Sequence, residues 1–252
     1  MPSSAPAPSV ATMSAADTAL IDAVRAALRA VADPAKAEPM RAYLKSSMPF
    51  LGVPKPARTA ALRPVLRDHP LPDAAGWRAT VRTLWDDATY REERYAATQL
   101  AQLRPYAAYA IQLDALPLFE HQIVSGAWWD HVDDVAIHSV GPLLRAHHDV
   151  VGPVMREWAR DADRWRRRAS VICQIGAKGG LDVDLLTDAV LANAADRDFF
   201  LRKAIGWALR EHSKTDPGWV RRFVADHEAR LSPLSRREAL RNIVVPSIVT
   251  RE

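Results

Sequence analysis

Cysteine is all but missing from this chain. Cys173 is the only one in 252 residues, so no intrachain disulfide can form and a reducing compartment, the cytoplasm, is the expected location. Long apolar runs are missing too; none approaches the ~20 residues that cross a bilayer. The opening MPSSAPAPSVATMS has neither the basic region nor the apolar stretch of a secretion signal. It reads as a disordered Ala/Pro/Ser tail over 1–14, with 15–252 forming one domain.

Glycine is scarce, at 10 residues, and no G-x-G-x-x-G or P-loop is present. GAKGG, from Gly176 to Gly180, reads as a turn. There is no G-x-S-x-G and hence no nucleophile elbow. No cysteine pair or His-x3-His spacing supports a metal, and helical spacing spreads Asp130, His131, Asp133 and Asp134 around a cylinder. No metal and no cofactor are therefore expected. Strand-like alternation is also absent, which removes a sheet from consideration.

What remains is helix. Alanine and leucine abound, with 48% hydrophobic and 25% charged residues. The net charge is +4, and arginine supplies most of the 34 basic residues, lysine only six. Such a basic excess suits a polyanionic partner. ALIDAVRAALRAVAD shows helical spacing up to Pro34, AEPMRAYLKSSM is a second helix, and FLGVPKPAR is a proline-punctuated loop.

A repeat follows. EERYAATQLA, WDHVDDVAIH, WRRRASVICQ, FLRKAIGWAL and SRREALRNIV align on Ala96, Asp133, Ala169, Ala204 and Ala239, at intervals of 37, 36, 35 and 35 residues. That is the period of paired-helix solenoids, with each quoted segment the second helix of a pair. The predicted fold is all-α: an α-solenoid of HEAT-like paired-helix repeats with a concave basic groove.

Basic residues gather just before the aligned position: Arg94, Arg166, Arg167, Arg168, Arg202, Lys203, Arg236 and Arg237. Stacked repeats would set them in a row near parallel helix starts, a track for a phosphate backbone. The plainer reading is a set of solvated faces whose arginine stems cover apolar surface. At the alanine register Asp133 is the exception, and an aspartate there needs a cavity or a partner. Trp129, four residues earlier, shares its helix face, whereas Trp128 is turned inward. The alternative is that Trp129 is core and Asp133 an ordinary ion-pair partner. Cys173, mid-helix among apolar residues, reads as core.

KAEPMRAYLKSSMPFLGV, LWDDATYREERYAA, SGAWWDHVDDVA, FFLRKAIGWALREHSKTDP and LSPLSRREAL together resemble the bacterial DNA-alkylation-repair glycosylases of the AlkD type, in the same order and from about Lys36 to Arg241. The resemblance implies hydrolysis of the N-glycosidic bond of N3- and N7-alkylated purines in duplex DNA, without metal, cofactor or base flipping. It places the family's catalytic aspartate on Asp133, its groove tryptophans on Trp129 and Trp207, a groove arginine on Arg168 and a tyrosine near the DNA on Tyr43. The partner implied is damaged duplex DNA, bound by a monomer that joins the nucleoid when on DNA. Glu93 and Tyr95 depart from the family's smaller or more apolar residues and put the local packing in question. The competing readings are a non-catalytic relative that binds unusual DNA structures and a protein-binding HEAT scaffold.

Overall fold

The structure, a computed structural model, describes residues 15–243. The expected tail at 1–14 lies outside the described residues. Among those described, the regular structure is helical with no strand, and no helix is long and apolar enough to cross a membrane. Contacts divide the chain into two compact units, Met1–Tyr109 and Ala110–Glu252.

The first unit carries α1 (Thr18–Ala30), α2 (Pro34–Leu44), α3 (Lys55–Asp68), α4 (Ala74–Asp86) and α5 (Arg91–Ala101). Asp17 caps α1, and Leu20, Ile21, Val24 and Leu28 bury its inner stripe. α2 opens on Pro34 behind the Asp33 cap and ends at Lys45 in a left-handed turn (φ 50°). The segment read as a loop at FLGVPKPAR is partly helix: α3 begins at Lys55, because Pro56 falls in the first turn, where no N–H is needed.

Buried acids organise this unit. The Glu92 carboxylate accepts from the backbone N–H groups of Leu51, Gly52 and Val53 at 3.0, 2.9 and 3.0 Å. Gly52 is required there: its φ is +81°, and a Cβ would lie 2.0 Å from the Asp33 carbonyl oxygen. Glu93, one of the two departures noted above, is fully buried. It accepts from the Thr89 N–H at 3.0 Å and faces Arg25 and Arg29 of α1 at 3.4 and 3.8 Å. Tyr95, the other, accepts from Arg91 Nε at 3.0 Å and lies beneath the Arg58 guanidinium at 4.6 Å. Both departures are thus matched by arginine partners.

A single turn, α6 (Ala107–Ala110), precedes the second unit. That unit is a succession of helix pairs. α7 (Leu116–Gly126) pairs with α8 (Trp129–Val135), which runs through a π-helical turn at Ala136–Val140 into α9 (Gly141–Ala146). Next come α10 (His148–Trp158) with α11 (Arg164–Ile172), α12 (Val183–Asn193) with α13 (Phe199–His212), and α14 (Pro217–Asp226) with α15 (Pro233–Leu240). These are the pairs the repeat predicts, and the fold is an α-solenoid type of paired-helix repeat. Ala96, Ala169, Ala204 and Ala239 all have 0% exposure, so the register marks where second helices pack closest. At Gly206 of α13 a Cβ would sit 2.5 Å from Glu238 Cβ and 3.0 Å from the Ser235 carbonyl oxygen of α15.

Two stability outcomes follow from this packing. Glu92→Ala leaves three backbone donors of the 51–53 turn without their acceptor and is expected to destabilise by about 3 kcal/mol in urea unfolding. Gly206→Ala gains helix propensity yet forces α13 from α15, and the clash is expected to win by about 1–3 kcal/mol. A rise in the unfolding midpoint of Gly206→Ala would contradict this contact.

Candidate active site

The site is built where the second helices of three successive pairs begin. Trp128 precedes α8 in extended conformation (φ −151°, ψ 148°) with no side-chain cap. Its ring instead meets Trp165 of α11 at 6.1 Å and Phe200 of α13 at 5.4 Å, and those two lie 5.2 Å apart. Edge and tilted contacts suit aromatic quadrupoles, and the three rings tie together the starts of α8, α11 and α13. Arg164 lies over Trp165 at 4.9 Å and pairs with Asp198 at 3.3 Å.

Asp133 sits one turn beyond Trp129 on α8. Arg168 of α11 holds it with two parallel bonds, Nε to Oδ1 and Nη2 to Oδ2, each 2.7 Å. The third guanidinium nitrogen, Nη1, donates to the Phe200 carbonyl of α13. The Arg168 side chain is 6% exposed and that of Asp133 16%, so the carboxylate is neither on the outer surface nor sealed in the core. Burial pushes the Asp133 carboxyl above its ordinary value; Arg168 pulls against that, and the nearby charges of Asp130 and Asp134 add to it.

The other expected residues are placed as follows. Trp129 is half-buried on α8, and Trp207 is half-buried on α13, on the same stripe as Phe200 and Ala204. Tyr43, in the first unit, is 76% exposed. Asp134 faces His138 at 3.8 Å. Cys173 is buried, its thiol pushed up to about 12 by that burial. A cavity of about 350 Å³ opens at the C-terminal ends of α11 and α13, lined by Ile175, Leu186 and His212 among others, and is not built around Asp133.

The basic row carries its own counter-charges. Arg166 pairs with Glu120 at 2.9 Å and Asp161 at 3.1 Å, Arg167 with Asp196 at 3.3 Å, and Lys203 with Glu238 at 3.1 Å. Arg236 pairs with Glu228. Arg202 reaches the Asp198 carbonyl at 3.4 Å, and Arg237 is exposed. Arg94 lies over Trp85 at 4.9 Å, and burial lowers its basicity. Sequence reasoning missed these acids, although a signal was present. DADRW at 161–165 and DRDFF at 196–200 repeat an Asp-x-Asp before an aromatic, 35 residues apart. In each, the second Asp caps the helix while the first binds that Asp's N–H at 2.7 Å and takes an arginine.

Comparison with known proteins gives a consistent picture. The family model described as DNA alkylation repair enzyme matches residues 24–243. Among solved structures, the chain is similar to a predicted DNA alkylation repair enzyme from Enterococcus faecalis, at 30% identity and a TM-score of 0.74, over 84% of this chain and 97% of that one. No curated protein matches.

The aromatic cluster has a measurable consequence. Trp165 is 3% exposed and contacts both partner rings. Trp165→Ala is expected to lower stability by about 3–5 kcal/mol in chemical denaturation; a loss below about 1 kcal/mol would show that the rings do not brace these helices.

Proposed function

The chain belongs to the DNA alkylation repair enzyme family, and from that premise we propose that it is a monofunctional DNA glycosylase hydrolysing the N-glycosidic bond of N3- and N7-alkylated purines in duplex DNA. The observation that carries this reading is Asp133, a carboxylate in a register otherwise held by buried alanines, paired to Arg168 and still within reach of solvent.

The chemistry suits a lone carboxylate. An N3- or N7-alkylated purine already bears a positive charge. When the C1′–N bond breaks, its electron pair neutralises the departing base, so no general acid has to protonate it. Positive charge builds instead on C1′ and the ring oxygen of the sugar. Asp133 faces that charge and orients the water that adds to C1′, leaving an abasic sugar, a neutral base and one released proton. A carboxylate about 4 Å from such a centre, at an effective dielectric near 20, contributes roughly 4 kcal/mol, or about a thousandfold in rate. The positive charge of Arg168 subtracts from that figure.

Trp129 and Trp207 present aromatic faces to the cationic base and its deoxyribose. The protein acts as a monomer and grips the backbone around the lesion, leaving the base in the duplex instead of extruding it. Tyr43, Arg166, Arg167, Arg202, Lys203, Arg236 and Arg237 supply backbone contacts, the ion-paired ones exchanging a carboxylate for a phosphate.

Incubating the protein with methylated duplex DNA and measuring free 7-methylguanine tests the proposal. Asp133→Asn is expected to keep DNA binding and lose about a thousandfold in release. Because the ionised carboxylate does the work and burial raises its pKa, release by the unmodified protein falls as pH drops through that raised value, above the usual carboxylate range. Undiminished release by Asp133→Asn removes Asp133 from the reaction.

A further inference from the structure

We propose that Arg168 is a positioning residue for Asp133 and not a phosphate-binding arginine: its guanidinium clasps three successive repeats and fixes the direction in which the carboxylate points. The inference rests on the glycosylase reading for its consequence, but its geometry stands apart from it.

Every nitrogen of the guanidinium is engaged within the protein. Nε and Nη2 hold the two Asp133 oxygens at 2.7 Å, and Nη1 donates to the Phe200 carbonyl. The three groups come from α8, α11 and α13, so one side chain joins residues 35 and 32 positions away in sequence. Its side chain is 6% exposed, against 29% for Arg166 and 26% for Arg167. Those neighbours pair with acids that are themselves partly exposed, and they can turn to a phosphate at little loss. Arg168 cannot: moving its fork to a phosphate strands a buried carboxylate without a counter-charge.

The choice of arginine also matters. A planar fork meets both oxygens of a carboxylate and fixes its plane; an ammonium meets one and leaves the plane free. The clasp bears on ionisation as well. The charges acting on Asp133 are Arg168 from α11 and Asp130 and Asp134 from its own helix, while α13 adds the Phe200 carbonyl through Arg168. Burial and the two aspartates favour the protonated form, and Arg168 alone among these charges opposes it.

The test compares Arg168→Gln and Arg168→Lys with the unmodified full chain in three measurements: Asp133 titration by carboxyl carbon NMR in the DNA-free protein, the pH profile of 7-methylguanine release, and the salt dependence of binding to methylated duplex. The clasp predicts that Arg168→Gln moves the Asp133 titration up by about one pH unit or more. The acid limb of the profile moves with it, and the slope of log K against log salt does not change. Arg168→Lys restores part of the ionisation but not the full rate at high pH. A phosphate-binding arginine predicts the reverse: a salt slope smaller by about 0.9 and an unmoved titration, which overturns the proposal. If Arg168→Gln does not fold, the lysine variant decides between the same two patterns. If the unmodified protein releases no base, the glycosylase reading falls, and the titration still settles the clasp by itself.

Discussion

A pair of short helices cannot bury its own apolar face, and everything else in the second unit depends on that constraint. Each pair must share its inner surface with the next, so the second helices meet at a recurring position where only a small side chain fits. Ala169, Ala204 and Ala239 have no exposure there, and Gly206 leaves room for the α15 backbone itself. The tightness of this contact makes any larger or charged residue in the same place a matter of function or of cost.

Asp133 is that residue. A carboxylate brought so far out of water needs a partner with matching geometry. Arg168 supplies it from the next repeat, and the Phe200 carbonyl occupies the remaining nitrogen from the repeat after that. The aromatic cluster of Trp128, Trp165 and Phe200 holds the same three helix starts in place. Preorganisation of this kind is what an electrostatic catalyst needs, since a carboxylate that must turn to meet its charge gives back part of the gain. The bracing and the clasp are therefore two expressions of one arrangement.

The basic row illustrates how net charge differs from available charge. Arginines and lysines stand where the repeat places them, yet Glu120, Asp161, Asp196, Glu228 and Glu238 already face five of them. Exposed pairs of this type are weak and exchange readily with a stronger anion such as a phosphate. A surface so prepared stays soluble and discriminating, because ligands must compete for each cation.

Periodicity along the chain determined the all-helical class, the pairing of helices, the shared register and the singularity of Asp133 within it, because these depend on side-chain spacing within a turn or across a repeat. The local pattern misjudged α3, where prolines in a first turn look like a loop. Only the tertiary structure decided that Glu92 serves the 51–53 turn, that Glu93 meets Arg25, and that Arg168 is turned onto Asp133 and Phe200. Those outcomes join groups some 30 to 70 residues apart, as with Arg168 and Asp133 at a separation of 35. Which acid a given arginine meets is set by how neighbouring helices pack, and spacing within one helix carries no information about it.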